Sequence, residues 1–158
     1  MLDAHSWNAA PTRPCSSSRS EVEHLRRLHR QTPVRSVQLL NPGASGRRQP
    51  SAVDAEMATP AGLRDIAHAA GVGANQRLIV PADRNGTLRP PTSFVADAHR
   101  AGLLVHVWTL RDDAPFLAAG YEGDPLREHL QFLDLGVDGV FTDFPDTAMR
   151  ARMARAAR

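Results

Sequence analysis

The sequence predicts a parallel α/β fold, and three recurrences predict it. A Thr, Ser or Asp stands ahead of apolar residues at helical spacing, a glycine closes the run, and a short apolar stretch comes after it. The closing glycines, Gly71, Gly102 and Gly136, lie 31 (102 − 71) and 34 (136 − 102) residues apart, about one β/α unit. Helix, glycine and apolar strand in repetition imply a parallel sheet. An open doubly wound sheet and a TIM barrel both fit this periodicity.

Met1 to Arg19 reads as irregular and disordered, because Pro11, Pro14 and Ser16-Ser17-Ser18 offer nothing to bury. The folded domain is expected over residues 20–158. Glu21 to Arg30 suits a helix with Val22, Leu25, Leu28 and His29 on one face. Val34 to Leu40 reads as a short strand and Asn41-Pro42-Gly43 as a turn, and Gly43 to Ala58, lacking any period, as a loop. Thr59 is a good N-cap with Pro60 at the first helical position; Leu63, Ile66, Ala67 and Ala70 recur at helical spacing, and Gly71 fits the left-handed stop. The segment Val72 to Asn75 comes next. Thr92 or Ser93 caps a helix that ends before Gly102, and Leu103 to Thr109 reads as a nearly continuous buried strand. Asp124 caps a helix with Pro125 first, Leu126, Leu130 and Leu133 inward, and Gly136 at its end; Val137 to Thr142 is the last strand.

Composition removes several classes of function. No apolar run approaches the roughly 18 residues of a membrane span. The single cysteine, Cys15, excludes an internal disulfide. All 19 basic residues are arginine, which with the Ala, Pro and Gly richness points to a GC-rich genome. Residues 1–58 hold 8 Arg against 5 acidic residues and residues 59–158 hold 11 against 12, so no basic stripe marks a nucleic-acid surface.

Three blocks between Gly102 and Asp146 go further: Val105-His106-Val107-Trp108-Thr109; Phe116-Leu117 with Tyr121-Glu122-Gly123-Asp124-Pro125; and Leu135-Gly136-Val137-Asp138-Gly139-Val140-Phe141-Thr142-Asp143-Phe144-Pro145. Together they closely resemble the last two β/α units of glycerophosphodiester phosphodiesterases, above all the longer bacterial periplasmic type. Gly71-Val72-Gly73-Ala74-Asn75-Gln76 is similar to the family's sixth-strand motif, with Ala70, Ala74 and Gln76 where the family tends to have Asp, Pro and Lys. Glu21 to Leu28 and Val37 to Leu40 resemble the family's fifth-strand region and the segment after that strand. The resemblance covers about residues 20–150.

It implies a partial TIM (β/α)8 barrel, about the last four β/α units, the C-terminal half of the domain. It also implies a chemistry: hydrolysis of a glycerophosphodiester to an alcohol and glycerol 3-phosphate, with a divalent cation (Ca²⁺ or Mg²⁺) polarising the phosphoryl oxygens and two histidines as acid and base. The family places these groups in a His-Arg-Gly motif, a Glu-x-Asp pair, a second His and a further Glu, all ahead of the region matched here. The expectation is therefore that this chain holds no catalytic residue and no metal ligand; His99-Arg100-Ala101 only echoes the first motif, at a helix end. A truncated chain of this kind is expected to be inactive alone, as a non-catalytic remnant or as a half-barrel that assembles with a partner through open sheet edges. The resembling subclass is exported, whereas Met1 to Arg19 lacks the apolar core of a secretory signal.

The substrate-side residues implied are Trp108, Asn75, Gln76, Thr142, Asp143 and Tyr121. Trp108 ends the seventh strand of the family's barrel and would wall the glycerol or alcohol moiety. Gln76 carries one charge less than the family's lysine and weakens the phosphate contact. Thr142 and Asp143 either line the mouth or, in the case of Asp143 together with Asp146, cap the next helix. Tyr121 is a contact candidate in the long loop. His106 reads as an interior histidine hydrogen-bonded within the core, Asp112 and Asp113 as solvated, and the other histidines, His129 and His68 included, as surface helix residues. Arg150, Arg152, Arg155 and Arg158 suit a solvated helix end.

Overall fold

The computed structural model describes residues 18–41 and 52–158. Four strands, β1 (Val37–Leu40), β2 (Gly71–Asn75), β3 (Leu104–Leu110) and β4 (Gly139–Thr142), form one parallel sheet whose spatial order is that of the chain. Helix α1 (Ser18–Gln31) precedes β1. Then α2 (Ala52–Met57) and α3 (Pro60–Asp65) lead to β2, α4 (Gln76–Ile79) and α5 (Phe94–Arg100) to β3, and α6 (Pro125–Asp134) to β4, with α7 (Pro145–Ala156) last. A doubly wound sheet reverses its strand order at a switch point, and a barrel does not. The unbroken order β1-β2-β3-β4 is the winding of a barrel, left open.

Strand side chains alternate between two unlike faces, as a period of two requires. Leu40, Val72, Ala74, Val105 and Val107 meet Leu63, Ile66, Phe94, Ala98 and Phe132 in the buried core between sheet and helices. The other face carries Val37, Leu39, Gly73, Leu104, His106, Trp108 and Phe141; Leu39 is 56% exposed and Phe141 48%. β3 thus alternates where its composition predicts continuous burial, because helices cover only one side.

The caps form largely as the sequence predicts. Thr59 Oγ1 accepts from the Gly62 amide at 3.1 Å, and Asp124 Oδ1 from the Leu126 amide at 2.9 Å. Pro60 and Pro125 occupy the first turns, where a missing N–H costs nothing. At α5 the work is divided: Thr92 Oγ1 accepts from the Phe94 amide at 3.3 Å, while Ser93 Oγ donates to Asp97 Oδ2 at 2.7 Å. Gly102 (φ 79°) and Gly136 (φ 89°) are the left-handed stops that the pattern requires.

Four expectations are corrected. Gly71 is no helix stop but the first residue of β2: α3 already ends at Asp65, and a Cβ at Gly71 would stand 2.6 Å from the Leu104 carbonyl oxygen. The expected loop from Gly43 to Ala58 contains α2, whose Met57 is buried in the core; residues 42–51 lie outside the described residues, with part of the expected turn at 41–43. α6 turns Glu128, His129 and Phe132 inward; Leu126 and Leu130 are not the fully buried stripe that helical spacing predicts. His129 is fully buried, and His68 is half-buried in the turn after α3, so neither is a surface helix residue. Cys15 and the expectation for Met1 to Arg19 lie outside the described residues, apart from Ser18 and Arg19 at the start of α1.

Candidate functional site

Barrel enzymes work at the C-terminal ends of their strands. Here those ends bring Asn75, Trp108 and Thr142 to one rim, with Asn75 directly opposite Trp108 in the β2–β3 register. Trp108 Nε1 donates to the Gly73 carbonyl at 2.8 Å, which lays the indole across β2. Gly73 leaves the room: a Cβ there would lie 2.4 Å from Leu39 Cδ2 and 3.5 Å from Trp108 Cδ1. The Trp108–Thr109 peptide is cis.

Asn75 caps α4, its Oδ1 accepting from the Arg77 amide at 2.9 Å. Gln76 opens α4, and its Oε1 is buried without a hydrogen-bond partner. Thr142 Oγ1 accepts from the Phe144 amide at 3.0 Å, a local turn ahead of α7. Asp143 is exposed and faces Arg111 Nε at 3.6 Å; α7 carries no side-chain cap from Asp143 or Asp146. Tyr121 stands apart from these residues. It is buried in the single 3-10 turn Ala119–Tyr121, where burial, with Glu128 adding to it, pushes the phenol pKa upward.

His106 departs from its expected environment. It sits on the uncovered face, half-buried, tilted against Phe141 with ring centroids 6.0 Å apart, and its Nδ1 has no hydrogen-bond partner. Only a glycine fits beneath it, because a Cβ at Gly139 would approach His106 Cδ2 to 2.6 Å. Asp112 is not solvated either: Oδ2 accepts from Thr147 Oγ1 of α7 at 2.6 Å, and Oδ1 is buried without a partner. Asp113 pairs with Arg111 Nε at 3.0 Å.

Sequence reasoning passed over Arg111 and Glu128. Arg111 links Asp113 and Asp143 across the rim, and its guanidinium covers the Phe116 ring at 4.4 Å. Glu128 is buried on α6. Burial drives its carboxyl pKa from 4.5 to about 7; Arg77 opposes the rise and Asp112 adds to it. The signal for Glu128 was its spacing, four residues before Phe132, the largest apolar side chain of that helix.

A cation cage needs several converging oxygen or nitrogen ligands. Among the described residues no three His, Cys, Asp or Glu side chains converge in that way. The sequence does spell one Glu-x-Asp, Glu122-Gly123-Asp124, contrary to expectation. It lies in the turn before α6 rather than at a strand end; Glu122 binds Arg127, and Asp124 caps α6 and lies 3.8 Å from the same arginine. The described residues do not fit the cation that the resemblance implies.

Comparisons with known proteins bear on the family. The model of the glycerophosphoryl diester phosphodiesterase family matches residues 4–147. Two Arabidopsis thaliana relatives are glycerophosphodiester phosphodiesterase GDPDL7, 46% identical over 88 residues (54% of this chain, 12% of the relative), and GDPD6, 43% identical over 75 residues (47% and 20%). The chain thus spans a minor part of the curated relatives it matches. Two solved bacterial structures share the fold. A Silicibacter pomeroyi DSS-3 protein described as a glycerophosphoryl diester phosphodiesterase is 18% identical with a TM-score of 0.51, covering 88% of this chain and 37% of that one. A glycerophosphodiester phosphodiesterase from Parabacteroides distasonis ATCC 8503 is 16% identical with a TM-score of 0.52, covering 89% and 42%. The barrel-type winding and the family match agree: this chain belongs to the glycerophosphoryl diester phosphodiesterase family.

Proposed function

We propose that the chain supplies the substrate side of a glycerophosphodiester-hydrolysing barrel and that these 158 residues do not hydrolyse the ester alone. One observation carries this reading: the strand ends gather Asn75, Trp108 and Thr142, which can hold a ligand, and among the described residues no converging carboxylates that would hold a cation. The divalent cation of the family, Ca²⁺ or Mg²⁺, would draw charge from the phosphoryl oxygens where it is bound. Its ligands and the two proton-transferring histidines would come from outside this chain.

The chain's own residues then bind and orient. The Trp108 indole, fixed by its bond to Gly73, offers a flat wall to a glycerol or alcohol moiety. Gln76 stands where a lysine would grip phosphate and offers a neutral amide instead, a loss of one charge-assisted bond. Asp143 and its partner Arg111 edge the mouth; Tyr121 is buried within the loop's own turn. Titration with glycerol 3-phosphate, read by NMR, tests this arrangement. The Trp108 indole N–H and the amides of Asn75 and Thr142 are expected to shift in a saturable way, and Trp108→Ala to lose the effect. No response at these three positions would contradict the reading.

A second reading is a half-barrel that assembles with a partner. It is favoured by the face bearing Leu39, Leu104 and Phe141, all large, apolar and exposed. A non-catalytic remnant would present the same face without any such partner.

A further inference from the structure

In the connections that follow β2 and β3, the turn Asp83–Gly86, which carries Arg84, and the loop 114–119 border a pocket of about 470 Å³ lined also by Arg77. None of the six strand-end and loop residues assigned to the substrate lines it. We propose that this pocket is a binding site for a small, multiply charged oxyanion of the phosphate class, gripped by Arg77 and Arg84.

The charge balance of the surroundings is the first support. Asp83 is the one carboxylate among the lining residues, and it and the acidic residues next in sequence to the lining already have cations. Asp83 faces Arg89 at 3.6 Å, Asp113 faces Arg111 at 3.0 Å, and Glu122 and Asp124 share Arg127. Arg77 and Arg84 line the pocket without an ion pair to any described carboxylate. Glu128 comes within the field of Arg77, but burial pushes that carboxyl up to about 7, so near neutral pH it offsets the guanidinium only in part. Two guanidinium groups that line one cavity without a direct ion pair favour a shared anion. Their planar forks match the oxygens of a phosphate group.

The second support is the wall. Asp83 Oδ1 accepts from the amides of Asn85 and Thr87 at 2.9 and 3.0 Å, which fixes the turn that presents Arg84. Gly86 (φ 76°) lets the turn approach the loop: a Cβ there would stand 2.8 Å from the Ala119 nitrogen, and the Gly86 carbonyl receives the Gly120 amide at 3.2 Å. The two arginines are therefore set on braced backbone rather than on a free stretch of chain. The cavity is wide enough for a phosphate group with a short organic remainder.

Inorganic phosphate, glycerol 3-phosphate and zwitterionic glycerophosphocholine are titrated into the full chain at fixed ionic strength, with NMR reading the Ala118 and Ala119 amides. Phosphate and glycerol 3-phosphate are expected to give saturable shifts there, with glycerophosphocholine much weaker. Arg84→Ala is expected to weaken binding about tenfold, the loss of one charge-assisted contact. Arg84 is exposed in a turn, so this variant keeps the proposal testable if Arg77→Gln fails to fold. Equal affinity for the first two probes would assign the site to the phosphate group alone; tighter binding of glycerol 3-phosphate would extend it to the organic part. Shifts absent, matched by chloride, or unchanged in Arg84→Ala would overturn the proposal. These amides are distinct from those of Asn75, Trp108 and Thr142, so failure here and failure at the strand ends are separately visible.

Discussion

Glu128 is held where a carboxylate is costly: it is 1% exposed on the inner side of α6, near Arg77, Asp112, His129 and Tyr121. Its folded pKa, about 7, lies above the ordinary 4.5, so between those values the folded state binds more protons than the unfolded one. The stability from the neutral acid is fully present below pH 4.5 and is lost as pH rises to about 7. The loss is on the order of 3 kcal/mol from the size of the shift. Urea unfolding at pH 5 and pH 8 measures it. Glu128→Gln is expected to flatten that dependence and to raise stability at pH 8 by about 1–3 kcal/mol. Greater wild-type stability at pH 8 than at pH 5 would contradict the assignment. This residue was hard to see in the sequence because leucines at 126, 130 and 133 offer an equally regular apolar stripe, and only packing against the sheet decides which stripe turns inward. Trp108 was easier: an aromatic at the end of a strand before a long loop is visible in one dimension. Its bond to the Gly73 carbonyl, 35 residues away, is not.

At the scale of elements, the glycines divide into those that turn the chain and those that let backbones touch. Gly62 is of the second kind: a Cβ would stand 2.2 Å from the Glu56 carbonyl oxygen and 2.5 Å from Met57 Cα. Those atoms belong to the α2 backbone and cannot swing aside. Gly62→Ala is therefore expected to push α2 from α3 and to destabilise the fold by about 2–4 kcal/mol, although alanine favours a helix. Thermal unfolding checks this, and an unchanged or raised Tm would refute the close approach. The same distinction explains what was legible. Gly102 and Gly136 come after capped helices and do act as left-handed stops, whereas Gly71 comes after one too and is a strand residue pressed against Leu104. Nothing local separates the two uses; the neighbour that forbids a side chain at Gly71 is 33 residues away (104 − 71). α2 escaped notice because its six residues are too few for a period to show.

At the scale of the whole molecule, the sheet is finished on one side and bare on the other. Helices cover Val72, Val105 and Val107, while Leu39 (56% exposed), Phe141 (48%) and Leu104 (38%) face outward around His106 and Trp108. A bare apolar face of this size favours association. Sedimentation equilibrium at micromolar concentration is expected to detect self-association, and Leu39→Ser combined with Phe141→Ser to reduce it; a monomer at every concentration would argue against a half-barrel that needs a partner. The parallel α/β class was legible because caps, stops and apolar strands recur along the chain. The choice of a barrel over a doubly wound sheet was legible only through the family resemblance of the blocks between Gly102 and Asp146, since strand order is not encoded in periodicity. The same open architecture shapes the chemistry: ligand-holding residues stand at the strand ends, while the nearby carboxylates are engaged by Arg111, Arg127 and Thr147. Release of glycerol 3-phosphate from a glycerophosphodiester by the purified chain, with Ca²⁺ or Mg²⁺ supplied, bears on this most directly. The expected result is no release above the metal-containing buffer; turnover that depends on the metal and stops with a chelator would contradict it.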